Sequence, residues 1–130
     1  MEENKLAISV RDLNVYQSAF KSAMQIFNLS KSFPKDEKYS LTDQVRRSSR
    51  SVCSNLAEGW CKRKYQAVFV NKLTDAIQEA AETQTWIEFS KACGYIDSVT
   101  YEQLFDQYEI IIAQMLTMEK KSSSFCKNAK

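Results

Sequence analysis

The sequence contains no histidine. That removes the usual general base near neutral pH, the commonest metal ligand, and every Cys/His or Ser/His catalytic pair. Glycine and proline are nearly missing as well, with two and one residues in a chain of 130. β-Sandwiches and dinucleotide-binding folds need these residues repeatedly at turns and phosphate loops, so the composition speaks for long helices with short connections. No stretch reaches the roughly 20 apolar residues of a membrane span. The opening residues Met1-Glu2-Glu3-Asn4-Lys5 are acidic and lack an apolar signal core, which gives the expectation of a cytoplasmic protein with no membrane partner. Cys53, Cys61, Cys93 and Cys126 are scattered, with no C-x-x-C pair and no disulfide framework. They read as reduced thiols, Cys53 and Cys93 in or near the core and Cys61 and Cys126 more exposed. No metal site and no cofactor is expected, and no phosphate-cradling glycine loop is present.

What is present is enough apolar material, 44% of residues, to bury one core, so residues 1–130 are read as a single domain. Tyr16, Ala19, Phe20, Ala23, Met24 and Phe27 recur three and four apart, which predicts an amphipathic helix over about 12–31 with Asp12 as its N-cap. Phe33-Pro34-Lys35-Asp36-Glu37-Lys38 carries the one proline and a run of charge, and is the expected solvated connection. A second helix follows over about 39–58, stopped by Gly59. At about 100° per residue, Leu41, Val45, Ser48, Val52 and Leu56 form one stripe, and Arg46, Arg47 and Arg50 lie on the opposite arc. Ser48, Ser49 and Ser54 are small enough to let a neighbouring helix approach.

Val68, Phe69, Leu73, Ala76, Ile77, Ala80, Trp86 and Ile87 mark a third helix over about 65–93, ended by Gly94. Both glycines are thus expected at C′ positions. Asp97 or Ser98 caps a fourth helix over about 98–120, patterned by Tyr101, Leu104, Phe105, Tyr108, Ile111, Ile112, Met115 and Leu116. The Ser- and Lys-rich tail from Lys121 is expected to fray. Four amphipathic segments with short connections make an all-α, up-down-up-down four-helix bundle.

The net charge is only +2, but it is unevenly placed. Between Arg46 and Lys64 lie six basic residues (Arg46, Arg47, Arg50, Lys62, Arg63, Lys64) and one acid, Glu58, whereas Lys72 to Glu109 holds two bases and eight acids. The arginine arc, followed by Trp60-Cys61-Lys62-Arg63-Lys64-Tyr65, offers phosphate-pairing cations beside rings on which bases could stack. The same residues could equally form a solvated face, or pair with the acidic face of a neighbouring subunit through Glu79 and Glu82. Asn55 and Glu58 flank the apolar stripe. A lone glutamate with no His, Lys or second carboxylate at suggestive spacing reads as structural, so no catalytic residue is assigned. Trp60, Tyr65, Trp86, Phe89 and Tyr95 are more than one bundle of this size can bury, which predicts an oligomer.

Four motifs stand in a specific order: Asp12-Leu13-Asn14-Val15-Tyr16-Gln17, Phe33-Pro34-Lys35-Asp36-Glu37-Lys38-Tyr39, Gln44-Val45-Arg46-Arg47-Ser48-Ser49 and Ser54-Asn55-Leu56-Ala57-Glu58-Gly59. Together they closely resemble the four-helix-bundle family of 23S ribosomal RNA intervening-sequence proteins. The likeness covers the first half by motif and the rest by helix pattern and the Cys93-Gly94-Tyr95-Ile96 turn. It implies a pentameric ring with basic residues lining a funnel-like surface, Arg46 and Arg47 as paired basic residues, and Asn55, Glu58 and Gly59 as the family signature. A relative similar in fold, the accessory variability protein of diversity-generating retroelements, associates with a reverse transcriptase and its RNA. Ser40 replaces a usual glycine, Cys53 a common proline, and Trp60-Cys61 smaller residues. The expectation is therefore a non-enzymatic, ring-forming accessory protein that binds RNA or DNA through Arg46, Arg47, Arg50, Lys62, Arg63 and Lys64, with a reverse transcriptase as a candidate partner. The alternative is a purely structural interaction module in which those cations face a neighbouring subunit's carboxylates.

Overall fold

The structure is a computed structural model that describes residues 9–127 and 129. The N-terminal residues from which the absence of a leader is expected lie outside the described residues. Four long helices, α1 (Asn14–Ser30), α2 (Leu41–Cys61), α3 (Gln66–Ala92) and α4 (Ser98–Lys120), are followed by a short α5 (Ser122–Cys126). Two 3₁₀ turns, Val10–Asp12 and Lys35–Glu37, precede α1 and α2. No strand occurs among the described residues. Each helix packs on the next, and α1 packs on α4 to close the bundle.

The starts and stops have identifiable causes. Asp12 does not cap α1 as expected. Its carboxylate accepts from the Ser9 backbone N–H at 2.9 Å while Ser9 Oγ accepts from Arg11 N at 3.2 Å, a reciprocal box that closes the preceding turn. Leu13, buried, then enters α1 without a side-chain cap. Asp97 does cap α4, accepting from Thr100 N at 2.7 Å. Gly94 has φ +79°, and the turn is closed by Tyr95 N–H to Ser90 O at 2.8 Å, the 6→1 bond of a Schellman end.

Gly59 does not end α2; the helix runs through it to Cys61. The reason is packing, not a turn. A Cβ at Gly59 would lie 2.9 Å from Lys72 Cβ and 3.7 Å from the Phe69 carbonyl oxygen, so this glycine is where α3 comes closest.

The core is built from Val45, Val52 and Leu56 of α2, Phe69, Leu73 and Ile87 of α3, and Leu104, Tyr108, Ile111 and Met115 of α4. Fully burying each such apolar side chain contributes about 1.5–3 kcal/mol. α1 supplies Val15, Ala19 and Ile26. This corrects the expected phase: Phe20 and Met24 are exposed, and Tyr16 and Phe27 only half-buried. Between α2 and α3 the hydroxyls of Ser48 and Thr83, both buried, form a hydrogen bond at 2.8 Å, and Thr83 Oγ1 also donates to the Glu79 carbonyl.

The tail does not simply fray. In α5, Phe125 packs edge-on to Trp60 and tilted to Phe69, each at 6.2 Å between ring centroids, and Gln66 Nε2 donates to Ser122 Oγ at 2.9 Å. Cys53 is buried, and burial pushes its thiol up to about 11. Cys93 is exposed, contrary to its expected place near the core, as is Cys61, while Cys126 is half-buried beside Phe125. The end of the helix explains Cys93: it is the C-cap of α3, one residue before the solvent-facing Gly94.

Candidate functional site

The six cations of the sequence do not form one patch. Arg50 and Lys62 are twelve positions apart, about 18 Å along a helix axis at ~1.5 Å per residue. They divide into a groove along the outer face of α2 and a separate group at its C-terminal end.

The groove holds about 500 Å³ and is lined by Lys38, Tyr39, Thr42, Asp43, Arg46, Arg47, Arg50, Ser51 and Ser54. From Thr42 to Ser54 its residues recur three or four apart on α2, which brings them to one side, and Lys38 and Tyr39 join them from just before the helix. Arg47 and Arg50 are exposed. Arg46 is not: it is half-buried, its Nε donates to Ser30 Oγ at 2.7 Å and its Nη2 to the Phe27 carbonyl at 3.5 Å. Its guanidinium carbon also lies 4.8 Å from the Phe27 ring centroid, with that of Arg50 at 5.7 Å on the same ring. The expectation that all three arginines are purely solvent-facing is thus corrected for Arg46, which straps α2 to α1. Lys38 and Tyr39 were missed by reading the arginines alone. The signal was available, since Tyr39, Asp43, Arg46 or Arg47, Arg50 and Ser54 already share the helical spacing.

At the far end, Lys62 and Lys64 are exposed, and Lys64 Nζ lies 5.2 Å from the Tyr65 ring centroid. Arg63 is committed to the fold. Its guanidinium lies 3.7 Å from the Trp60 ring centroid, its Nε donates to the Trp60 carbonyl at 2.9 Å, and its Nη1 to the Phe125 carbonyl at 3.5 Å. Burial holds its pKa below the ordinary arginine value. Trp60 is buried under Arg63 and Phe125, so it offers no face to a base, whereas Tyr65 is exposed.

The signature residues are structural. Glu58 forms an ion pair with Lys72 at 3.0 Å, the residue against which Gly59 allows close approach. Asn55 Nδ2 donates to the Ser51 carbonyl at 2.9 Å. On α3, burial and then the neighbouring Glu82 raise the pKa of Glu79, while Arg47 acts in the opposite direction. Arg47 is therefore near enough to act on Glu79 through space within its own chain. Among the described residues no three Cys, Asp or Glu side chains come together to hold a metal ion, and no helix is long and apolar enough to cross a membrane.

Fold and groove define an all-helical bundle with a charged, open outer face in place of an enclosed ligand cavity. The chain belongs to the 23S rRNA-intervening sequence protein family, which it matches over residues 11–117. Among solved structures it is similar to a protein of unknown function from the S23 ribosomal protein family of Bacteroides thetaiotaomicron. The two are 28% identical with a TM-score of 0.73, over 82% of this chain and 95% of the other. No curated protein matches the chain.

Proposed function

We propose that this protein is a non-enzymatic accessory factor that assembles into a ring and binds RNA or DNA across the groove on the outer face of α2. Arg47, Arg50 and Lys38 pair with phosphates there, and the exposed ring of Tyr39 gives a base a surface to stack on. Arg46 contributes charge from a fixed position. Lys62 and Lys64 extend the contact along the strand, while Arg63 does not take part. The observation that carries the reading is the convergence of Lys38, Arg46, Arg47 and Arg50 on one open groove with an aromatic ring at its edge.

Ring assembly, a pentamer by the family resemblance, is supported by the apolar stripe of Tyr16, Phe20 and Met24, which the bundle leaves uncovered on α1. A reverse transcriptase or another enzyme acting on nucleic acid is the kind of partner such a scaffold serves. The second reading pairs the same arginines with Glu79 and Glu82 of an adjacent subunit.

The test is binding of labelled single-stranded RNA and duplex DNA over a range of salt concentrations, for the native protein and an Arg47→Gln/Arg50→Gln variant. Two lost phosphate contacts flatten the slope of log affinity against log salt by about 1.4–1.8. Unchanged binding by a variant of native size removes the groove from the reading, and dispersal of the oligomer transfers the two arginines to a subunit contact.

A further inference from the structure

On the other side of Tyr39 from the basic groove lies a second, shallower pocket, between the start of α2 and the end of α3. Its walls include Tyr39, Trp86, Phe89 and Glu37. Tyr39 is 84% exposed and Phe89 53%, and the Trp86 and Phe89 rings lie 5.9 Å apart, tilted by 35°. Rings of this size are rarely left open at the surface of a bundle that has core positions for them.

The charges around these rings are negative. Glu82 Oε1 accepts from the Trp86 indole N–H at 3.3 Å, which anchors a carboxylate beside the ring. Glu37 is held at the opposite wall, its Oε1 accepting from Ser40 Oγ at 2.6 Å and its Oε2 from Tyr95 OH at 2.8 Å. Glu37 Oε1 also accepts from the Leu41 N–H at 3.4 Å, so Glu37 keeps capacity for an outside donor on Oε2, and Glu82 keeps it on both oxygens. Tyr39 already attracts a cation within this chain, since Lys38 Nζ lies 5.2 Å from its ring centroid.

We propose that this pocket is a binding site for an arginine side chain presented by a partner polypeptide. A guanidinium is planar and weakly hydrated, so it stacks on aromatic faces while its N–H groups reach carboxylates. Trp86 and Phe89 supply the faces, Glu37 supplies an acceptor in the pocket wall, and Glu82, outside the walls, supplies one at the indole edge of Trp86. A compact ammonium makes poorer use of both, which sets the preference for arginine over lysine. The site is distinct from the basic groove and does not depend on the nucleic-acid reading: its sign of charge is opposite, and it recognises protein.

The chain has two tryptophans, one buried and one in this pocket, so their indole N–H signals in an ¹H–¹⁵N spectrum separate the site from the core. The probe is acetyl-Gly-Arg-Gly-amide, compared with the same peptide bearing citrulline, a neutral shape-match, or lysine. The arginine peptide is expected to move the Trp86 signal saturably, with half-saturation on the order of millimolar, and to leave Trp60 in place. Citrulline leaves both unmoved, and lysine binds more weakly. Glu82→Gln, a change at an exposed residue, weakens the arginine response about fivefold. Phe89→Ala, also at the surface, does the same without touching a carboxylate. Equal shifts with citrulline, a response indifferent to both variants, or none at 20 mM peptide would each overturn the proposal. So would a Trp86 signal that moves with protein concentration alone and is not displaced by the arginine peptide, because the pocket is then covered by a second copy of this chain.

Discussion

A Cβ on Gly59 would stand 2.9 Å from Cβ of Lys72, nearer than packed side chains approach one another. The contact is with the root of the lysine, which cannot swing aside as its ammonium end could. α3 itself would have to move.

This gives Gly59→Ala a sign that separates close helix packing from an open helix interior. In an open helix interior, alanine is more stable than glycine by about 0.5–1 kcal/mol. Here overpacking of about 1–3 kcal/mol opposes that gain, and the net expectation is a loss of about 1–2 kcal/mol. Denaturant unfolding measures it, and a variant more stable than the native chain would show that α2 and α3 are not closely packed at this point.

Arg63 predicts the fate of the C-terminal helix. Arg63→Met keeps the aliphatic stem but removes the stacked guanidinium and its bonds to the Trp60 and Phe125 carbonyls. A loss of about 1–2 kcal/mol is expected, with Trp60 emission shifting to the red as Phe125 loosens. Phe125→Ala produces the same red shift with Arg63 intact. A tryptophan spectrum unchanged in both variants would mean that α5 does not cover Trp60 in solution.

The three arginines of α2 divide by stability. Arg46→Gln loses its hydrogen bonds to Ser30 and Phe27 and its place over the Phe27 ring, and is expected to cost about 1 kcal/mol. Arg47→Gln and Arg50→Gln change stability by less than about 0.5 kcal/mol, as exposed substitutions do. Thermal melts of the three single variants rank them, and an Arg46 variant as stable as the other two would contradict the strap between α1 and α2.

Glu37 makes a pH prediction. Hydrogen bonds from Ser40 and Tyr95 hold its carboxyl below the ordinary value near 4.5. A carboxyl depressed in the folded state lends stability that is present above its unfolded value and lost as the pH falls through the folded one. Acid melts of the native protein are expected to fall more steeply below about pH 4.5 than those of Glu37→Gln. The same bond pushes Tyr95 up to about 12, so its phenol lends stability that is lost only as the pH rises through that value. Tyr95→Phe therefore weakens both limbs.

The four long helices were legible because their apolar positions recur at helical spacing, and Asp97 and Gly94 were legible because capping and left-handed backbone each demand a particular residue type. The phase of α1 was not. Val15, Tyr16, Ala19, Phe20, Ala23, Met24, Ile26 and Phe27 cover so wide an arc that either of two adjacent faces can be turned inward, and only the fit against α2 and α4 chooses. Gly59 misled for a related reason: close approach and chain reversal both call for glycine, and the sequence does not show which neighbour is near. In the basic cluster, charge count revealed the groove, but not that Arg46 and Arg63 are tied down. Apart from Ser30 Oγ, their hydrogen-bond partners are the Phe27, Trp60 and Phe125 carbonyls, backbone groups that any residue could supply.

The Ser48–Thr83 hydrogen bond has a consequence for how α2 and α3 find their alignment. Apolar side chains tolerate sliding, because one greasy contact replaces another at similar energy. The two hydroxyls are more particular, since a shift of one helical turn, about 5.4 Å, breaks the bond between them and leaves each only a carbonyl of its own helix, Val45 for Ser48 and Glu79 for Thr83. The pair works as a tally mark cut across two sticks: the bond between the hydroxyls exists only when the two helices are in register. Losing either hydroxyl erases the mark, so two positions thirty-five residues apart carry one piece of register information between them.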